Sequence, residues 1–150
     1  VVQGLTYSIR SRQDAGRGSG AFVVSTFTRN ETLRKCVDAV LGEVKKLRDE
    51  GPAPAELDKA KRYLTGQFPL GLQAPDDLAA MLLDIDFYGL DPQFVESFGP
   101  KIEAVTMEDV RRALKSYFCV EDMRLLVVSN PDVAKKALDG LGAIEVTPIP

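Results

Sequence analysis

Histidine is absent from all 150 residues, which removes the commonest general base and the commonest zinc ligand together. Cysteine occurs twice, too rarely to build a disulfide framework. Cys36 and Cys119 each sit within apolar spacing and read as buried thiols in preference to a bridge between them. The 19 basic and 22 acidic residues are interspersed and leave a net charge of −3. No extended basic field is therefore available to hold a phosphate backbone, and nucleic acid is not expected as a partner. No apolar run reaches the length of a membrane span, and the first residues lack the basic, apolar and small-residue order of a secretion signal. The compartment stays open between bacterial cytoplasm and periplasm. With 45% hydrophobic and 27% charged residues the chain has the balance of a soluble protein able to bury a core, so disordered and collagen-like classes drop out.

What is present is a run of amphipathic segments. Leu5, Tyr7 and Ile9 alternate with Thr6, Ser8 and Arg10 almost from the start, as in a half-buried strand. Phe22, Val24 and Thr26 alternate with Val23, Ser25 and Phe27 beyond the glycine-rich "QDAGRGSG", which predicts a hairpin. A strand rather than a helix follows Gly16, Gly18 and Gly20, so they read as a flexible turn and not as a phosphate cradle. Asn30 is placed to cap a helix carrying Leu33, Cys36, Val37, Val40, Leu41, Val44 and Leu47 at helical spacing until Gly51. Pro54 opens a second helix with the stripe Leu57, Ala60, Leu64 and Phe68, and "GQFPLGLQAPDD" should break it.

A third helix is predicted from Asp76 or Asp77 to Gly89. Its Asp84 and Asp86 lie two apart, so they do not face one another as a metal pair would. Thr106 and Asp109 then form the capping pattern of a helix through Val110, Ala113, Leu114 and Tyr117. "MRLLVVS" reads as a central strand, "PDVAKKALDGLG" as a short helix and "AIEVTPI" as a last strand. The order predicts an α+β domain: a two-layer sandwich with a largely antiparallel sheet and helices packed on one face. The sets Lys59, Lys61, Arg62 and Arg111, Arg112, Lys115 read as solvated helix faces. Tyr63, Phe87, Tyr88, Phe94 and Phe98 read as packing residues, and Arg10 and Arg12 fall on the strand face opposite Tyr7 by the two-residue period.

"GLTYSI" before a glycine-tipped hairpin, "GPAPAELDKAK" at the second helix, and "AVTMEDVRRALKSYF" ahead of "RLLVVS" occur in an order that resembles the insulinase-like, or pitrilysin, zinc metallopeptidases over nearly the whole chain. In that family one half carries an inverted His-x-x-Glu-His zinc motif and a similar second half lacks it. Without histidine, this chain resembles the non-catalytic second half. The resemblance implies that residues 1–150 are one domain, the later part of a family domain whose first elements precede Val1. It implies no cofactor in this chain, zinc in a partner catalytic half of the same or another polypeptide, and a peptide substrate.

Family members place a tyrosine of Gly-Leu-x-Tyr across the cavity from the zinc, with an arginine seven residues earlier, and both contact substrate near the scissile bond. Tyr7 matches that tyrosine, and the arginine position falls one place ahead of Val1. No catalytic or metal-binding residue is expected here, and Tyr7 is the one substrate-binding candidate. The resemblance also extends to core subunits of the respiratory bc complex, which implies a second reading as a structural or assembly subunit without peptidase activity. A third reading is a module that captures extended peptide at a sheet edge.

Overall fold

A computed structural model describes residues 4–16 and 18–148. The fold is α+β, with six α-helices and one two-stranded antiparallel sheet among the described residues. The chain divides into two compact units, residues 1–46 with 119–150, and residues 47–118.

The first unit is built on the hairpin of β1 (Thr6–Asp14) and β2 (Ala21–Thr28). From Val24 onward burial on β2 follows the sequence pattern, with Val24, Thr26 and Thr28 half-buried and Ser25 and Phe27 exposed, whereas Phe22 is exposed and Val23 half-buried. On β1 the simple alternation fails. Thr6 pairs with Thr28 but Ile9 pairs with Thr26, so three steps on β1 match two on β2, and a bulge lies between. Tyr7 and Ser8 together oppose Phe27. Because side chains alternate with a period of two, one extra residue moves everything beyond it to the other face. Ile9 therefore shares a face with Val24, Thr26 and Thr28, whereas Arg10, paired with Ser25, and Arg12, paired with Val23, share a face with Phe27. The placement of Arg10 and Arg12 opposite Tyr7, expected from unbroken alternation, is corrected by this bulge.

Beyond the hairpin, Arg29 and not Asn30 caps a 3₁₀ turn, Asn30–Thr32, that leads into α1 (Leu33–Glu50). The Asn30 side chain instead accepts a hydrogen bond from Ser129 Oγ at 3.0 Å. Leu33, Cys36 and Val44 are the buried residues of α1, in line with its predicted stripe. Arg34 joins α1 to the end of α6 (Pro131–Leu138), pairing with Asp38 at 2.9 Å and donating to the Asp139 carbonyl at 2.8 Å. That cation meets acceptors that a helix C-terminus leaves without intrahelical partners. Asn130 caps α6 by accepting from the backbone N–H groups of Asp132 and Val133.

Residues 123–129, expected as a central strand, join no ladder among the described residues, and neither do residues 143–148; Ile149 lies outside them. Leu126 is 93% exposed and Val128 76%, while Met123 and Val127 are half-buried. The β-prone pattern is there, but a strand also needs a neighbour of matching register, which these residues do not find.

The second unit holds α2 (Pro54–Leu70), α3 (Pro75–Tyr88), α4 (Phe94–Ala104) and α5 (Met107–Tyr117). Gly51, at φ 76°, takes the left-handed conformation that ends α1, and Gly89, at φ 63°, does the same after α3. Pro54 stands in the first turn of α2, where the Ala53 N–H donates to Glu56 Oε2 at 2.7 Å. The predicted break within "GQFPLGLQAPDD" comes later than Gly66: α2 continues through Pro69, and Gly71 donates to the Gln67 carbonyl at 3.1 Å. Phe68 and Phe98 stack at 3.9 Å, with Phe94 edge-on to both, and these rings hold α2 against α4.

The predicted capping box of α5 is present. Asp109 N–H donates to Thr106 Oγ1 at 3.1 Å, and Thr106 N–H donates to Asp109 Oδ2 at 2.9 Å. Hydrogen bonds from the Thr106 hydroxyl and backbone, and then from Arg112, hold the Asp109 carboxyl down at a pKa of about 2.

Candidate functional site

The residue to locate is Tyr7. It lies in β1 at the bulge, with its side chain 99% exposed, neither covered by helices nor packed into a core. Expected with Leu5 and Ile9 on one inward face, it is separated from Ile9 by the bulge. The bulge is held from its opposite side by hydroxyls. Thr6 Oγ1 and Thr26 Oγ1 lie 2.6 Å apart and each lies 2.8 Å from the Ser8 carbonyl, so one hydroxyl donates to that carbonyl and the other donates to the first hydroxyl. Thr28 Oγ1 donates to the Leu5 carbonyl at 2.7 Å. Residues on either side of Tyr7 are thus fixed, which sets its backbone while its ring stands in solvent.

Phe27, 87% exposed, is the cross-strand neighbour of the bulged pair. Arg10 and Arg12 continue the same face. Arg12 is paired with Asp14 at 2.9 Å, whereas Arg10 makes no ion pair among the described residues. The surface is therefore a phenol, a phenyl ring and a free guanidinium on one sheet face. It can offer a hydroxyl donor, apolar contact and positive charge to a chain laid over it. Phe27 and Arg10 were not singled out in the sequence. The alternation of β2 signals that Phe27 faces outward, but nothing in "TYSI" signals the bulge that brings Arg10 round.

Other predicted features are not gathered into a site. Asp84 and Asp86 remain exposed on α3, and no group of three or more His, Cys, Asp or Glu residues able to hold a metal occurs among the described residues. Lys61 of α2 donates to the Glu103 carbonyl of α4 at 2.8 Å, and Arg112 pairs with Asp109 of its own helix at 2.6 Å, so these cations are engaged in holding helices. Tyr63 and Phe87, expected as packing residues, are exposed, although the Phe87 ring meets Tyr88 edge-on at 5.0 Å. Of the two thiols expected to be buried, Cys36 is, within the α1 stripe; Cys119, past the end of α5, is exposed. A cavity of about 250 Å³ in the second unit is lined by Leu64, Phe68, Leu72, Met81 and Phe98, with Gln67 contributing an amide. No described helix is long and apolar enough to cross a membrane.

Residues 1–64 match the family described as the peptidase M16 inactive domain. The match spans 64 of the 150 residues. The match covers the hairpin, its bulge, Tyr7, α1 and the first part of α2, and it bears out the resemblance carried by "GLTYSI" and "GPAPAELDKAK", whereas "AVTMEDVRRALKSYF" and "RLLVVS" lie beyond it. The non-peptidase homolog YmxG of Helicobacter pylori (strain ATCC 700392 / 26695) is 25% identical over 130 residues, which are 87% of this chain and 30% of that protein. The chain thus spans less than a third of the length of this relative.

Proposed function

We propose that this chain is a zinc-less part of an insulinase-type metalloendopeptidase and closes the peptide-binding chamber, with Tyr7 directed at the substrate. The observation that carries the reading is the position of Tyr7: it falls in the M16-matched stretch, on the residue that the family motif uses, with a fixed backbone and an exposed hydroxyl. When hydroxide adds to a peptide carbonyl, charge grows on its oxygen. A phenol aimed there is worth more in the transition state than in the ground state. The partner half supplies the metal and the nucleophile; this chain supplies a donor and surface.

The test is the full-length parent with its catalytic half, assayed on an unfolded peptide. Tyr7→Phe keeps the ring and removes the donor. It is expected to lower kcat roughly ten- to hundredfold, with KM within about twofold, as for loss of a hydrogen bond made mainly in the transition state. An unchanged kcat removes Tyr7 from the mechanism.

A second reading is favoured by the relative described as a non-peptidase homolog. In it the parent is an assembly or structural subunit, as in the core proteins of the respiratory bc complex, and the same surface meets a protein partner. The two separate on the parent and its gene neighbours: without a His-x-x-Glu-His half, the assembly reading stands.

A further inference from the structure

We infer that the hairpin face selects extended peptides carrying an acidic side chain two residues from the carbonyl that Tyr7 addresses, with Arg10 as the residue that reads the charge. The inference rests on the peptide-binding reading above and adds a specificity to it. Its basis is the bulge. In an unbroken strand Tyr7 and Arg10, three apart, would point to opposite faces and could not meet one ligand. Here the bulged Tyr7–Ser8 pair opposes Phe27, and Arg10 opposes Ser25, so the two positions differ by two residues when measured along β2. Two residues of extended chain span roughly 7 Å, the repeat at which a bound strand presents side chains on one face. Phe27 lies opposite the bulged pair and diagonal to Arg10, within reach of an apolar stem between the two.

Charge selects the occupant. Arg12 is already neutralised by Asp14, while Arg10 is exposed and makes no ion pair among the described residues. The next groups on that face are Ser25, which is uncharged, and the two rings, whose faces tolerate a guanidinium nearby. A carboxylate is the complementary ligand, and a guanidinium accepts it with two parallel hydrogen bonds.

The experiment uses the full-length parent with its catalytic half, stripped of zinc to stop turnover. The probes are fluorescein-labelled unstructured decapeptides that differ at one scanned position, carrying Glu, Gln or Lys. Anisotropy titration at low salt is expected to show Glu peptides binding about two- to fivefold tighter than Gln peptides at one position, and Lys peptides weaker, as for an exposed ion pair. Arg10→Gln should abolish the difference. Arg10→Glu should reverse it in favour of Lys, a gain that misfolding cannot mimic. Equal affinity for all three peptides in the unaltered protein, or a preference that survives Arg10→Glu, overturns the inference. If peptides bind without charge preference while Tyr7→Phe still lowers turnover, the inference falls alone. If none of the peptides binds, it falls together with the reading beneath it.

Discussion

Asp109 shows how far a surface residue can be tuned by local geometry alone. Its carboxyl accepts from the Thr106 hydroxyl and backbone and from Arg112, all of which favour the charged form, and its pKa drops from 3.8 to about 2. A depressed carboxylate pKa adds stability that is complete above the unfolded value, and that stability is lost as pH falls through the folded one. The contribution of this capping box is thus full above about pH 4 and gone below about pH 2. A carbon-detected titration of the Asp109 carboxyl should show its midpoint near 2, and Thr106→Ala should return it toward 3.8. At this scale the sequence was fully legible, because a capping box is made by residues three apart on one chain. Tyr7 was legible as a residue through its motif, but its exposure was not, since that depends on what lies across the strand.

Among the elements, helices followed their sequence signals more closely than strands did. Stops at Gly51 and Gly89 and the start at Pro54 follow sequence signals, and these, like the Asn130 cap seen in the structure, depend on conformations set within a few residues. Asn130→Ala should cost about 1 kcal/mol in chemical denaturation by leaving the first N–H groups of α6 without their acceptor. Gly89→Ala, forced into the left-handed region, should cost about 1 kcal/mol as well, although a Cβ there meets no atom within 4 Å. Asn30, by contrast, was expected as a cap and instead bonds Ser129, 99 residues away, a partner that no local pattern indicates. The β1 bulge is similar. It carries no glycine, and it follows from which hydroxyls of β2 meet the Ser8 carbonyl. Deleting Ser8 should restore continuous pairing and set Tyr7 directly across from Phe27 on the same face, with far-ultraviolet circular dichroism unchanged.

For the whole molecule, the contrast between buried and exposed apolar residues gives a direct test. Leu114, 7% exposed, belongs to the core of its unit, and Leu114→Ala should lower stability by roughly 2–4 kcal/mol. Leu126, although equally apolar, stands in water, and Leu126→Ser in the isolated chain should change stability by less than about 0.5 kcal/mol. The isolated chain with zinc should cleave no unfolded peptide, and adding a catalytic half should restore cleavage; activity of the chain alone would end the proposed division of labour. The sequence by itself determined the α+β composition, most helix ends, the absence of histidine and the likeness of residues 1–64 to the M16 inactive domain, because each depends on residue identity or on neighbours close along the chain. Only the tertiary structure decided that residues 123–129 remain outside the sheet and that Tyr7, Phe27 and Arg10 share one face. Strand pairing and register are settled between segments far apart in sequence, and a single inserted residue reverses which side chains look outward.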